Sequence, residues 1–158
     1  MTVWNSKSTQ MKPKVNVNAQ SVRKALAELH KFGKEAETII DEATEAAAEL
    51  IRDKAIVNIN GLGAGYPEAV GEVAVSKADV NYYTINVQGV PLAAYIEFGT
   101  GAYVEVPPEW KGLAWNFYET GKGTLPPNPY LYPAFIQGRE QYQKQLEKAI
   151  EALTKKYS

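Results

Sequence analysis

The sequence predicts an α+β domain made of a long N-terminal helix, an antiparallel meander of three to four strands and a C-terminal helix. Between about residues 21 and 58, apolar residues recur at alternating steps of four and three. Short runs of alternating apolar and polar residues follow between 72 and 98, and a second apolar seam occupies about 132–156. Helix-period patterns at both ends of strand-period runs are typical of the α+β class.

Composition indicates one ordinary globular domain. The chain has 158 residues, 45% of them apolar and 22% charged. It contains no cysteine, which excludes disulfides, thiolate zinc sites and cysteine nucleophiles. No apolar run approaches the roughly 20 residues of a membrane span, and the N-terminus lacks the apolar core of a secretion signal. We therefore expect an extended arm at 1–18 and a single domain at 19–158, made in the cytoplasm.

The first helix is expected to begin at Ser21 as its cap and to continue to about Asn58. Such a helix would be about 57 Å long, whereas a domain of this size is about 40 Å across. Either the helix kinks near Phe32 and Gly33 or another subunit covers its excess length. Its seam, rich in small residues, consists of Val22, Leu26, Leu29, Gly33, Ala36, Ile40, Ala43, Ala47 and Leu50.

Three strands are expected, at residues 72–77, 82–88 and 92–98, because β-favouring residues alternate in each run. Asp79 and Asn81 mark the first turn, and Gly89 and Pro91 mark the second. Short connections between consecutive strands favour an antiparallel meander, one face of which can take the long helix.

Residues 101–128 form a long insert that contains Trp110 and Trp115 among Gly and Pro residues. A loop of this length is usually functional or disordered, and exposed aromatic side chains favour an interface. The alternative is a satellite core, in which the aromatic residues pack under the loop against the chain's own sheet. Residues 113–118 could form a short helix. The C-terminal helix then starts at Tyr132 or Pro133, since proline suits a first helical turn.

Candidate chemistry in the sequence is sparse. His30 is the only histidine, and no Gly-x-Ser-x-Gly elbow accompanies the serines. We therefore expect no metal, no cofactor and no serine hydrolase site. The strongest enzymatic alternative is a small carbohydrate-active hydrolase that uses Glu97 and Glu105 as a carboxylate pair with Trp110 and Trp115 as sugar platforms.

Two short segments carry the most information. Residues 95–101 (Tyr-Ile-Glu-Phe-Gly-Thr-Gly) end on a glycine corner, and residues 126–135 (Pro-Pro-Asn-Pro-Tyr-Leu-Tyr-Pro-Ala-Phe) form a proline-rich extended segment that leads into the last helix. Together with the long helix before them, these segments resemble the head–tail joining and tail-completion proteins of long-tailed phages, the gene-product-ten-like family of lambdoid siphophages. The resemblance covers roughly residues 20–155.

The resemblance implies a non-enzymatic structural protein of the bacteriophage virion: a subunit of a homo-oligomeric neck ring, plausibly hexameric, that links the head connector to the tail tube. A tail terminator or another minor tail ring protein is the alternative within this class. Expected partners are further copies of the chain, head-completion or connector proteins, and tail-tube or tail-terminator proteins, with assembly in the host cytoplasm. The expected interface residues are Glu97, Phe98, Gly99, Thr100, Gly101, Trp110, Trp115, Tyr130, Tyr132 and Phe135.

Charge is unevenly distributed along the chain. Residues 1–20 carry +3 from Lys7, Lys12 and Lys14, whereas residues 61–130 carry −4. DNA binding requires clustered phosphate contacts, so we expect DNA to pass the ring without specific binding. On this hypothesis Glu105 or Glu109 faces the channel, and the lysines of the arm reach outward.

Overall fold

The computed structural model describes residues 19–112, 123 and 125–158. Within them the chain is α+β, with the predicted long N-terminal helix and C-terminal helix. The arm at 1–18, the short helix expected at 113–118 and Trp115 lie outside the described residues. The elements are α1 Ala19–Gly61, α2 Tyr66–Val70, β1 Val73–Asp79, β2 Tyr82–Val87, α3 Leu92–Phe98 and α4 Leu131–Tyr157.

Helix α1 is a continuous helix of 43 residues, about 64 Å long. It passes through Gly33 without a break in the helix, and its length exceeds the expected width of the domain. Ser21 lies inside the first turn instead of capping it, because the helix already begins at Ala19. The alternating seam therefore specifies one long helix, and a single glycine is not enough to break it.

Helix α4 packs antiparallel along α1. At its start, the Asn58 amide donates a hydrogen bond to the carbonyl of Tyr130 at 2.9 Å. Midway, Gly138 lies directly against Ile51, since a Cβ there would overlap that side chain. At its end, the Phe32 and Tyr157 rings meet edge to face at 5.4 Å. The contact between the two helices therefore ends near Phe32, about 20 Å short of the beginning of α1.

Strands β1 and β2 form an antiparallel hairpin in which Val75 pairs with Ile85. Asn81 adopts a φ of 57° in its turn, a conformation that Asn tolerates better than most residues. Asp41 of α1 binds the hairpin. It accepts hydrogen bonds from Lys77 Nζ at 2.5 Å and from the backbone N–H of Asn81 at 2.9 Å. The first two predicted strands are confirmed.

The third predicted strand is wrong: residues 92–98 form helix α3, so the described sheet has two strands. Burial along α3 follows a helical spacing, with Ala93, Ile96 and Glu97 all buried. Over seven residues, alternation and helical spacing are difficult to distinguish. Pro91 immediately before the segment and Gly99 immediately after it are the helix start and stop signals that favour a helix.

The core lies where α1, α3, the start of β1 and the start of α4 meet. Tyr130 and Ala134 bring α4 into this cluster, and Ile96 brings α3. The two motif segments are thus next to the centre of the domain. The buried cluster consists of Ile51, Ala55, Ile59, Val70, Val73, Ala93, Ile96, Tyr130 and Ala134.

Candidate functional site

The two motif segments contact each other. We call residues 99–101 the corner and residues 125–130 the strap. Thr100 and Leu125 exchange two hydrogen bonds of 2.8 Å: the Thr100 amide donates to the Leu125 carbonyl, and the Leu125 amide donates to Thr100 Oγ1. The Asn128 amide then donates to the Ile96 carbonyl at 2.7 Å. The strap is therefore held along α3 and the corner by backbone hydrogen bonds.

The corner requires glycine at both ends. Gly99 and Gly101 have φ values of 77° and 58°, in the left-handed region that favours glycine. A Cβ at Gly99 would lie 2.8 Å from the carbonyl oxygen of Tyr103 and 3.0 Å from the nitrogen of Pro127. A side chain at either position would therefore meet both backbone strain and a steric clash.

Glu97 is the polar centre of the junction. Its Oε2 accepts hydrogen bonds from the amides of Tyr130 and Leu131, both at 2.8 Å, and its Oε1 accepts one from the Tyr132 amide at 2.9 Å. These amides belong to the first turn of α4, whose N-cap residue Tyr130 provides no side-chain cap. Glu97 therefore caps a helix that starts 34 positions later in the chain, where the helix dipole favours a negative charge.

Burial raises the pKa of Glu97, and the three backbone hydrogen bonds oppose that increase. The residue is only 4% exposed. Such burial is costly for a carboxylate unless hydrogen bonds compensate it. Both carboxylate oxygens are engaged by α4, so the geometry assigns Glu97 a structural task.

Trp110 belongs to an aromatic cluster of the chain itself. Its ring lies 5.2 Å from Tyr132 and 6.2 Å from Phe98, both edge to face, and 5.8 Å from Phe135 in a tilted arrangement. These separations are those of stabilising aromatic pairs. Trp110 therefore packs within the chain on rings of α3 and α4, as the satellite-core alternative expected in part, and its contact with a neighbouring subunit stays a prediction.

Glu97 and Glu105, the pair considered for hydrolysis, line one small cleft of about 300 Å³ together with Tyr132. Glu105 is exposed, whereas both oxygens of Glu97 are bonded to α4. Trp110 contacts Tyr132 but does not line this cleft. The cleft thus brings two carboxylates together without the aromatic platform that sugar binding would use.

A larger groove of about 460 Å³ lies between α1, the hairpin and α4. Its floor is made of small and aliphatic residues of α1: Thr44, Ala47, Ala48 and Ile51. Ile85 and Phe135 form its sides, and exposed Arg139 stands at the rim with its guanidinium 5.9 Å from the centre of the Phe135 ring. We call this the α1 groove. Sequence reasoning did not find it, because its walls come from three separate elements.

The N-terminal part of α1 extends past the end of α4. We call residues 20–31 the overhang. Its apolar side chains are on the same seam that α4 covers further along, yet Leu26 is 60% exposed and Leu29 is 65% exposed. Val22 is also exposed, one turn earlier. Spacing at i, i+4 and i+7 places these three side chains in one stripe.

The predicted interface residues are distributed unequally between the interior and the surface. Glu97, Phe98, Gly99, Thr100 and Tyr130 are buried within the chain, and Gly101, Trp110, Tyr132 and Phe135 are half-buried. Apart from Trp115, which lies outside the described residues, all of them meet at the junction of α3, the strap and α4. That they contact neighbouring subunits stays a prediction. The overhang stripe was part of the predicted seam, but it was not singled out as a surface.

In the described ranges, no cluster of three or more His, Asp or Glu residues is arranged to hold a metal ion. None of the helices described is long and apolar enough to cross a bilayer. The chain matches no protein-family model, no curated protein and no solved structure.

Proposed function

We propose that the chain is a structural subunit of the neck of a long-tailed phage: a tail-completion or head–tail joining protein that acts as a ring between the head connector and the tail tube. The resemblance of the two motif segments supports this function. Their mutual contact is the observation that carries it, since Thr100, Leu125 and Glu97 make the two segments one rigid unit.

This unit is suited to holding structural elements at defined angles. The corner and the strap are held by backbone hydrogen bonds, and Glu97 fixes the direction in which α4 leaves the strap. A ring subunit needs its elements at defined angles, because every copy repeats the same contact. The long α1, which exceeds the body formed with α4, supplies a surface for such contacts.

Particles made with and without the gene test this proposal. We expect particles that lack the protein to accumulate as separate filled heads and free tails, and the wild-type gene to restore joining. In intact particles the chain should occupy a ring in the neck, plausibly with sixfold symmetry. A chain that is absent from purified particles would contradict the proposal, and a ring elsewhere along the tail would favour another minor tail ring protein.

The hydrolase is the second candidate, since Glu97 and Glu105 line one cleft. Turnover of polysaccharides by the purified protein, abolished by Glu105→Gln in a folded variant, would favour it. We expect no turnover, because the hydrogen bonds to α4 engage the Glu97 carboxylate that would have to react.

The hypothesis that acidic residues face the channel of the ring is tested by DNA binding. A lumen with acidic residues repels phosphate and leaves DNA free to move. We therefore expect the purified protein to bind duplex DNA weakly and without sequence preference. Tight, salt-sensitive binding that is lost on deletion of residues 1–18 would instead place the basic arm against the DNA.

A further inference from the structure

We propose that residues 14–18 of one copy add as a strand to the free edge of β1 in a second copy, which links subunits head to tail. This contact deepens the ring assembly proposed above, and its closure into a ring rests on that function. Residues 14–18 precede α1, whereas β1 packs beside the second half of α1, so the two contacting surfaces are different parts of the chain. Repeated contacts of this heterologous type close into a ring or continue as a filament.

The first argument is the open edge of β1. The described sheet contains only β1 and β2, so each strand has one edge without a neighbouring strand. The Gln88 amide donates to the Glu72 carbonyl, and hydrogen-bonded pairs recur at every second residue of an antiparallel ladder. It follows that the backbone groups of Val73, Val75 and Lys77 point away from β2. In the described part of the chain, these outward groups have no backbone hydrogen-bond partner.

Of the two edges, that of β1 is the accessible one. Its last four residues, 76–79, are all exposed. On the other strand, Tyr83 and Ile85 line the α1 groove together with Arg139 of α4. A strand that carries lysines would meet a like charge there. The edge of β1 is therefore the better acceptor for the arm.

The second argument combines periodicity and charge. Residues 12–18 read Lys-Pro-Lys-Val-Asn-Val-Asn, in which apolar and polar side chains alternate at the strand period. Glu72 and Asp79 flank β1, both exposed, and neither forms an ion pair within the described ranges. Lys12 and Lys14 supply the opposite charge. An extended segment that adds to a sheet edge through its main chain is a recurrent mode of protein recognition.

An antiparallel register suits both strands. With Val17 opposite Val73, every second residue of the arm pairs with an outward backbone group of β1, and the valines of the two strands share one face. Pro13 then falls opposite Lys77, after which the regular ladder of the hairpin ends in a register shift. Proline donates no N–H and is tolerated at the end of an edge strand. The paired segment thus ends at the proline.

Distance selects a second copy over the chain's own arm. Asp41, which binds the turn end of the hairpin, is about 33 Å along α1 from Ala19. Val73 lies further still, in the core beside Ile51. Lys14 is five positions before Ala19, and five extended residues span at most about 18 Å. Residues 14–18 therefore cannot reach β1 of their own chain.

A strand of five residues makes few hydrogen bonds, so a single contact is weak. Since α1 follows the strand directly, strand addition also brings the overhang, with exposed Leu26 and Leu29, next to the neighbouring copy. Closure of a ring, in which each copy makes two such contacts, adds to the stability of the assembly. We accordingly expect a monomer at low concentration and larger species only as the concentration rises.

Engineered cysteines test the contact directly, because the chain has none of its own. We would oxidise the variant Asn16→Cys with Ala74→Cys over a range of concentrations. The proposed register makes these residues a non-hydrogen-bonded pair with Cα atoms about 4.5 Å apart, within reach of a disulfide. The proposal predicts a ladder of covalent species above the dimer.

The matched control is Asn16→Cys with Asn86→Cys. Asn86 pairs with Ala74 across the hairpin, so it lies two strands from the added arm. That separation is about 9.6 Å, too far for a disulfide. A ladder from the control pair in place of the test pair would put the arm on β2 and overturn the proposal.

Two proline variants supply an independent readout. In the proposed register the N–H of Val15 points at β1, whereas the N–H of Asn16 points away from it. Val15→Pro should weaken association several-fold in sedimentation velocity, and Asn16→Pro should leave it nearly unchanged. Both variants should keep the wild-type free energy of unfolding. Equal effects of the two prolines on association would overturn the proposal.

Two further outcomes of the oxidation would also overturn the proposal. Dimers formed as readily by Ala74→Cys alone would show that the β1 edges of two copies pair with each other. Absence of the ladder at all concentrations would show that the arm does not add to β1.

The result is separate from the test of function. A ladder from a protein that is absent from virions would retain the contact and reject the neck. A neck ring without the ladder would retain the neck and reject the contact.

Discussion

The junction of α3, the strap and α4 differs from the overhang in how its side chains are partnered. At the junction, the buried Glu97 carboxylate accepts hydrogen bonds from the start of α4, and Gly99 and Gly101 adopt positive φ values where the chain turns against the strap. All of these contacts lie within a single chain. In the overhang, Leu26 and Leu29 are largely exposed, and Leu29 lies beside the end of α4 near Thr154 and Tyr157. The comparison teaches that the motif segments determine the subunit's shape, while the least distinctive part of the helical seam remains available for a partner.

Removal of the Glu97 carboxylate should produce the largest effect on folding. Glu97→Gln places an amide donor against amides of α4 that need an acceptor, and hydrogen bonds to a charged group are each worth about 1.5–3 kcal/mol. We expect the free energy of unfolding to fall by about 3 kcal/mol, measured by urea denaturation.

The matched control is Glu105→Gln, in the same cleft but exposed, which should change the free energy of unfolding by less than about 0.5 kcal/mol. Equal effects of the two variants on the free energy of unfolding would show that Glu97 does not stabilise α4 as a cap.

Alanine substitutions at two helix glycines compare the α1–α4 contact with the exposed part of α1. Gly138→Ala places a Cβ into Ile51 at the α1–α4 contact, and overpacking of this kind costs about 1–3 kcal/mol. Gly33→Ala, where a Cβ has no atom within 4 Å, should stabilise the helix by about 1 kcal/mol.

Thermal and urea unfolding of both alanine variants measure these effects. Destabilisation by Gly33→Ala would indicate that α1 is covered at that position, contrary to the exposure of Gly33.

Acid is expected to lower the stability of the protein by a smaller amount, through the contact between Asp41 and the hairpin. The hydrogen bond from Lys77, followed by that from the Asn81 amide, lowers the pKa of Asp41 below its ordinary value. A depressed pKa means that the ionised carboxylate stabilises the fold above its unfolded-state pKa, and that this stability is lost as pH falls through the folded-state pKa.

Asp41→Asn should therefore lower stability at neutral pH and converge with the wild type in acid. Urea denaturation of both proteins between pH 2 and 7 measures this, because the lowered folded-state pKa lies below the ordinary value of about 3.9. A difference that stays constant over the range would mean that Asp41 does not titrate against Lys77 as described.

The periodic elements could be predicted from sequence, and the long-range contacts could not. Steps of four and three predicted α1 and α4, and alternation predicted β1 and β2. Helix α3 was missed because seven residues fit both periods. Its signals were Pro91 at the start and Gly99 at the end.

The task of Glu97 had no local signal, because its three donors lie on another helix more than 30 positions later. One indirect sign was present: no Ser, Thr or Asp occupies the position before α4, so its first amides needed an acceptor from elsewhere. Burial of Thr100 likewise depends on its hydrogen bonds to Leu125 of the strap, whose path a one-dimensional pattern does not specify.

The claim that the overhang serves assembly and not folding is tested most directly by Leu26→Gln with Leu29→Gln. Glutamine is a good helix former, so the helix itself is preserved. Sedimentation velocity over a concentration series should show association of the wild type and a monomeric double variant, with free energies of unfolding that agree within about 0.5 kcal/mol. The contrasting control is Leu153→Gln, which is buried on α4 and should destabilise the fold. A double variant that associates like the wild type, or that unfolds as easily as the Leu153 variant, would contradict the account.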